Sequence, residues 1–307
     1  MIDLDQTLSD KKVELLNYFR ERAAASLEEI KRTYTNSQFR EQASAINTAI
    51  KETRSTLVKT LTQKAIKENW DNDALLPCIL MIAYTSSVVL LEARNEVWSY
   101  NFMDFSRRIG ELWEEFCKLC FEFPLNEATL FIPPLFSEVK QKLTNELDTY
   151  IELLVLPKEQ KEELKLYYNK VWSLVTSGEI QLELDVHFVL NNEKYVVDFK
   201  SGFKSSEKGN ANRLLLVATA YKILEEDYRC LLLVRADESQ NSNYFQILKN
   251  SGIWEAHCGG EAYMRIKDLS GFDISGWIMN NINWQADLQS EMMQHVKTNS
   301  WEHYLIW

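Results

Sequence analysis

Two acidic residues and one lysine occupy strand positions from which they could bind a metal ion and hydrolyse a phosphodiester. Asp198 ends the apolar run at residues 195–197, Lys200 follows two residues later, and Asp185 lies on the preceding predicted strand. Because side chains alternate across a strand, Asp198 and Lys200 point to the same face. Carboxylate oxygens suit Mg²⁺, which usually takes one or two protein carboxylates, and the backbone carbonyl of Phe199 could add another oxygen. A metal-activated water and a nearby lysine that orients it or neutralises developing charge would complete such a site.

The elements that must position these groups form a predicted β-hairpin. Residues 180–190 and 194–200 have the composition of strands, and the pair Asn191 and Asn192 tolerates the left-handed backbone that tight hairpins need. A helix with an apolar face is predicted over residues 214–224. A simple ion pair between Asp198 and Lys200 at the end of a strand, beside a solvated Asp185, remains an open alternative, since charged surface pairs are common.

The segment LELDVHFVLNNEKYVVDFKSG, followed by a helix, resembles the nuclease core of the PD-(D/E)xK superfamily. That superfamily includes many type II restriction endonucleases, RecB-like exonucleases and Holliday-junction resolvases. The resemblance covers residues 160–270 and assigns Asp185 to the first acidic position and Asp198 and Lys200 to the D/E-x-K pair. The sequence departs from the pattern at Leu184, which stands where proline is usual. It also departs from the RecB-like variant, because Val217 occupies the glutamine position of its Gln-x-x-x-Tyr helix, although Tyr221 is present.

The resemblance implies an α/β fold, α+β by content, with a restriction-endonuclease-like mixed central sheet flanked by helices. It also implies Mg²⁺ as the cofactor, with Mn²⁺ able to substitute, and double-stranded DNA as the substrate. Members of the superfamily often use one more acid, for which Glu183, Glu179 and Glu163 are the candidates. For each of the three, a solvated surface acid is the favoured interpretation, and Glu179 and Glu183 rank ahead of Glu163 as candidate ligands. His187 shares the predicted face of Asp185 and is either a hydrogen-bonded sheet residue or a substrate contact.

Candidate DNA contacts lie beside the predicted site. Lys204, Lys208 and Arg213 form a locally basic segment, and Asn241 and Asn243 lie in a polar loop whose amides could hydrogen-bond to base edges. The alternative for the loop is an ordinary solvent-facing turn. The formal net charge of −11 opposes non-specific DNA binding, which depends on lysine and arginine, but a binding cleft needs only a local positive field.

The rest of the chain predicts a large helical region at residues 1–157, ahead of a nuclease domain at residues 158–307. Helices are expected at residues 10–33, 37–69, 73–91, 104–121, 134–154, 158–175, 212–226 and 287–297, and strands at residues 229–235 and 262–267. The apolar segment 73–91 is expected to be a buried central helix rather than a membrane span. Cys117 and Cys120 are interpreted as buried thiols of a helix rather than a metal pair. Five cysteines without a signal peptide indicate a reducing compartment, the cytoplasm.

These patterns together predict a Mg²⁺-dependent endodeoxyribonuclease, of which a type II restriction enzyme fits the size best. Cutting both strands of a duplex needs two active sites, so a homodimer is expected, and no membrane partner is expected. Two alternatives stay open. One is a RecB-like exonuclease or structure-specific repair nuclease. The other is a DNA- or protein-binding scaffold that keeps the nuclease fold without activity.

Overall fold

The computed structural model describes residues 2–35, 37–175, 181–224 and 228–307, and these fall into two compact units. The helical unit comprises Met1–Glu127 together with Gly260–Trp307, and the sheet unit comprises Ala128–Gly259. This division differs from the boundary expected at residue 157, because the carboxy-terminal segment packs on the amino-terminal helices. Trp301 stacks on Phe105 with ring centroids 5.1 Å apart, and the Tyr84 hydroxyl donates a 2.7 Å hydrogen bond to Asp287 Oδ2.

Twelve helices are found in the described part of the chain. In chain order they are α1 (Lys12–Thr33), α2 (Phe39–Glu68), α3 (Asn72–Val97), α4 (Phe102–Glu122), α5 (Phe136–Leu153), α6 (Lys158–Val175), α7 (Lys208–Leu224), α8 (Asn243–Lys249), α9 (Gly260–Ser270), α10 (Ile274–Asn281), α11 (Trp284–Asp287) and α12 (Ser290–Thr298). The first six follow the apolar periodicity of the sequence closely. Lys11 and Gln38 stand at the N-cap positions of α1 and α2, and neither side chain makes a capping hydrogen bond.

The apolar helix α3 forms the centre of the helical unit. It is capped by Asp71, whose side chain accepts the Ala74 amide N–H. Pro77 lies in its second turn, so α3 lacks one backbone hydrogen bond there. Among the described residues, α3 is the one helix long and apolar enough to cross a membrane, but 89% of its most apolar window is buried. The expectation of a buried central helix is therefore confirmed. Cys117 and Cys120 are likewise buried on α4, and neither forms a disulfide.

The sheet unit is built on one mixed five-stranded sheet. Its strands are β1 (Thr129–Leu130), β2 (Val186–Leu190), β3 (Glu193–Lys200), β4 (Tyr228–Val234) and β5 (Trp254–Cys258). They lie in sequence order, with β1–β2 and β2–β3 antiparallel and β3–β4 and β4–β5 parallel. The predicted hairpin turn is confirmed, because Asn191 and Asn192 both have left-handed backbone, with φ of 52° and 64°. The structure thus establishes a mixed sheet combined with helices.

Two sequence-based expectations for this fold are wrong, and one strand was not predicted. The first predicted strand is shorter, because pairing with β3 begins at Val186 and Asp185 stands just before it. The reason is that the Asp185 side chain takes the Phe199 amide N–H, a donor that a longer antiparallel ladder would have used. Residues 262–267 belong to α9 rather than to a strand, since Ala262 and Ile266 are buried at helical spacing. Strand β5 was not predicted, although its alternating burial from Trp254 to Cys258 follows a period of two.

Candidate functional site

Asp198 is a carboxylate buried in the middle of the sheet. It lies near the end of β3, between β2 and β4, and only 2% of the residue is exposed. Hydrophobic neighbours on the same strand, Val197 and Phe199, point to the opposite face and are fully buried. A charge in such a position destabilises the fold unless cations or polar groups compensate it. The charged and polar groups that contact the Asp198 carboxylate therefore give the first indication of its role.

Two cations approach Asp198 from its open side. Lys200 Nζ lies 2.7 Å from Asp198 Oδ2, and Arg213 Nη2 lies 3.7 Å from Asp198 Oδ1. The Lys200 ammonium also donates a 2.8 Å hydrogen bond to the backbone carbonyl of Phe199. The lysine amine thus sits against the same two oxygens, of Asp198 and Phe199, that the sequence nominates as metal ligands. A metal ion could bind both oxygens only after the Lys200 side chain moves away from them.

Asp185 joins this group from the segment that leads into β2. Its Oδ2 accepts the Phe199 amide N–H at 2.7 Å, which fixes the carboxylate beside the strand that carries Asp198 and Lys200. Burial raises the pKa of Asp198, the positive charge of Lys200 opposes this, and the negative charge of Asp185 raises that pKa further. The structure therefore brings Asp185, Asp198 and Lys200 together, as the sequence predicted. Asp185 is only partly buried, so this group of three remains in contact with solvent.

The donor set fits a hard divalent cation that keeps much of its water shell. Asp198 Oδ2 is buried and lies 2.7 Å from the Lys200 amine, which a metal ion would have to displace to bind there. No group of three or more His, Cys, Asp or Glu side chains suited to a metal occurs in the described ranges. The protein would therefore offer two carboxylates and one carbonyl, a set that Mg²⁺ accepts because it binds few protein ligands and retains several waters.

The three candidate auxiliary acids are not brought into this group by any contact that the structure describes. Glu183 is exposed on the segment before β2, and Glu163 is exposed on α6. No described hydrogen bond or ion pair joins either of them to Asp185 or Asp198. Glu179 lies outside the described residues. The site of the described chain is therefore centred on two acids.

His187 and Tyr221 hold the segment that carries Asp185. The Tyr221 hydroxyl donates a 2.9 Å hydrogen bond to the Leu182 carbonyl and lies 3.1 Å from His187 Nε2, and both side chains are buried. Burial lowers the pKa of His187 to about 4, so the ring is neutral at pH 7. His187 is thus the hydrogen-bonded sheet residue of the two alternatives. The sequence signal for this pair was Tyr221, which matches the tyrosine of the RecB-like Gln-x-x-x-Tyr helix even though Val217 replaces the glutamine.

The five candidate DNA-contacting residues have different surroundings. Lys204 is exposed in the loop before α7, and Lys208 is exposed at the first position of α7. Arg213 on α7 contacts Asp198. Asn243 is exposed at the first position of α8.

Asn241 is not available to read bases, which corrects that prediction. Its Oδ1 accepts the Phe203 amide N–H at 2.8 Å, and its Nδ2 donates to the carbonyls of Ala236 and Asp237 at 3.0 and 2.9 Å. Every polar atom of the side chain is therefore used to hold the loop after β4 against the loop after β3. Asn241 supports the loop that follows Lys200.

Comparisons with protein-family models, with curated proteins and with solved structures found no match for this chain.

Proposed function

We propose that the protein is a Mg²⁺-dependent nuclease that hydrolyses phosphodiester bonds of double-stranded DNA. The observation that carries the proposal is the meeting of Asp185, Asp198 and Lys200 at the end of β3, where the carboxylate of Asp198 is buried. The restriction-endonuclease-like fold, and membership of the PD-(D/E)xK superfamily, are part of this proposal. Within this class, we propose an endonuclease that acts at internal sites and is most similar to a type II restriction enzyme.

Each residue has a distinct role in this proposal. Asp185 and Asp198 would hold the metal ion, together with the Phe199 carbonyl. The metal would stabilise charge on the reacting phosphate and lower the pKa of a bound water. Lys200, once released from Asp198, would orient the attacking water or neutralise the phosphate oxygens. Arg213 lies next to the same carboxylate and carries the charge needed to contact a DNA phosphate, and Lys204 and Lys208 extend this cationic surface.

Cleavage of supercoiled plasmid DNA in Mg²⁺ tests the proposal directly. Asp198→Asn keeps the size of the side chain but removes its charge, so we expect cleavage to fall by about three orders of magnitude or more, because metal-based charge stabilisation is worth several kcal/mol. Asp268→Asn, at an exposed acid of α9, is the matched control and should cleave normally. Stabilisation of the wild type, but not of Asp198→Asn, by added Mn²⁺ in thermal unfolding provides a reading of metal binding that does not depend on activity.

The products separate the candidate activities. Discrete fragments indicate a sequence-specific endonuclease, whereas progressive loss from the ends of linear DNA indicates an exonuclease. A preference for branched DNA indicates a repair nuclease. Absence of cleavage in both Mg²⁺ and Mn²⁺, without any metal-dependent stabilisation, would refute the nuclease proposal.

One observation favours a second candidate, an inactive scaffold with the same fold. Lys200 and Arg213 already place two positive charges against Asp198. Such a pair could compensate the buried carboxylate in the absence of any metal. DNA binding that is retained in a chelator and unchanged by Asp198→Asn, with no cleavage by the wild type, would support this candidate.

A further inference from the structure

The helix α6 exposes an apolar stripe in the sheet unit. Leu164, Tyr167 and Val171 lie along one side of the helix, and 42%, 57% and 58% of these residues are exposed. Their spacing of three and then four residues is the a/d pattern with which helices pack against one another in pairs. Large apolar side chains grouped on one helix face are unusual on a solvated surface and mark interaction sites.

The side of α6 that contacts α5 lies about a quarter turn around the helix from the stripe, and that side is polar. Lys161 and Lys165 are partly buried there and reach Glu152 of α5, with Lys165 Nζ 2.8 Å from Glu152 Oε1. Tyr168 is the third partly buried residue on this side. The hairpin of α5 and α6 is thus held by ion pairs, while the apolar stripe of α6 is left uncovered. This is the reverse of an amphipathic helix packed on its own domain.

The exposed apolar surface continues around the end of the hairpin. Tyr150 and Leu153 at the end of α5 are 61% and 78% exposed, and Val155 in the connection is fully exposed. The uncovered surface therefore extends along α6 and across the adjoining turn. A second helix of similar length could lie on it.

We propose that the stripe is the contact surface of a homodimer in which α6 of one copy lies antiparallel to α6 of a second copy. The charges that flank the stripe favour this partner. In a two-fold antiparallel pair centred near residues 165 and 166, Leu164 of each copy meets Tyr167 of the other. Glu163 of each copy then lies opposite Lys170 of the other, which gives two attractive pairs by symmetry. A parallel pair would not bring Glu163 and Lys170 together, because each of these two positions then lies opposite other residues of the partner helix.

The role of the dimer rests on the proposed function, because two copies would supply the two active sites needed to cut both strands of a duplex. The interface itself is independent of Asp185, Asp198 and Lys200, and its existence is measured without any activity assay. The two proposals can therefore fail separately.

The molar mass of the full chain in solution tests the interface. Light scattering after size exclusion, across the micromolar range, should give twice the 36.0-kDa chain mass for the wild type. Tyr167→Glu should return the mass to that of one chain without loss of folding, because the side chain is exposed. Ile66→Glu, at a 72% exposed position on α2, is the control and should leave the dimer intact.

A charge exchange tests the antiparallel arrangement. Glu163→Lys and Lys170→Glu should each weaken the dimer several-fold, and the double variant should restore it. A wild type that is monomeric throughout the range, or a dimer that survives Tyr167→Glu, would overturn the proposal. Failure of the double variant to recover would overturn the antiparallel pairing. If the wild type cleaves DNA, Tyr167→Glu should still nick single strands but lose double-strand cleavage, whereas Asp198→Asn should abolish cleavage and remain dimeric.

Discussion

Replacing Lys200 by methionine is expected to change metal binding and DNA cleavage in opposite directions. The Lys200 amine lies 2.7 Å from Asp198 Oδ2 and 2.8 Å from the Phe199 carbonyl, so it competes with a cation for both oxygens. Methionine keeps most of the length of the side chain without the charge. Metal binding should therefore tighten, while the loss of the group that positions water or phosphate should reduce cleavage.

The size of the effect can be estimated from the geometry. Opposite unit charges 2.7 Å apart attract by about 6 kcal/mol at an effective dielectric constant of about 20. Much of this attraction is offset when the amine is displaced, because the Lys200 side chain is already 20% exposed and regains hydration. If the methionine variant gains about 1.4 kcal/mol in binding free energy, its affinity for the metal ion rises by about tenfold. Loss of one charge-stabilising group in the transition state costs about 10²-fold to 10³-fold in rate.

Isothermal titration with Mn²⁺ and plasmid cleavage measure the two effects on the same preparations. Lys249→Met is the control, because Lys249 in the same unit also lies 2.9 Å from a carboxylate, that of Glu238, away from the candidate site. It should alter neither quantity. Weaker metal binding in Lys200→Met than in the wild type, or full cleavage activity, would refute the idea that the amine and the metal compete for these oxygens.

Three further substitutions test the surroundings of the site and the helical unit by urea unfolding. Asn241→Ala should lower stability by about 2 kcal/mol, since it leaves buried loop groups unpaired, while the exposed control Asn243→Ala should stay within about 0.5 kcal/mol. Asn192→Gly should raise stability by about 0.5–1 kcal/mol, because glycine adopts the φ of 64° without strain. Tyr100→Phe should cost no more than about 1 kcal/mol at pH 7, since the buried hydroxyl interacts with the Arg108 guanidinium. Burial raises the pKa of Tyr100 to about 12, so the wild type loses stability as pH rises from 10 to 12 and Tyr100→Phe should become more stable relative to it over that interval.

The parts of the fold that sequence predicted are those fixed by local patterns. The pair Asn191 and Asn192 specifies a tight hairpin because few residue types accept left-handed backbone at both central positions of the turn. The long helices follow from apolar periodicity, and the buried strand β4 follows from its continuous apolar run. The grouping of Asp185, Asp198 and Lys200 was predictable because strand alternation and one hairpin suffice to bring them together.

The remaining features depend on contacts between distant segments, which local patterns do not encode. Asn241 was placed among the DNA contacts because it lies in a polar loop, but its partners at Phe203 and the loop carbonyls appear only once β3 and β4 are adjacent. Asp185 leaves the strand because of a single side-chain bond to Phe199. The grouping of the carboxy-terminal helices with the amino-terminal ones likewise depends on long-range packing, such as that of Trp301 on Phe105.

The position of Asp198 argues for a role in binding rather than in stability. A buried acid held by two cations contributes little to folding compared with apolar side chains of similar volume, because removing the charges from water costs about as much as their attraction returns. Asp198 nevertheless lies within a sheet whose other inward side chains are mostly apolar, and Asp185 adds a second negative charge beside it. Lys200 and Arg213 together offset the repulsion between these two acids, and a divalent cation bound by both carboxylates would do the same. On our proposal, the ion would therefore compete with the Lys200 amine for Asp198 Oδ2.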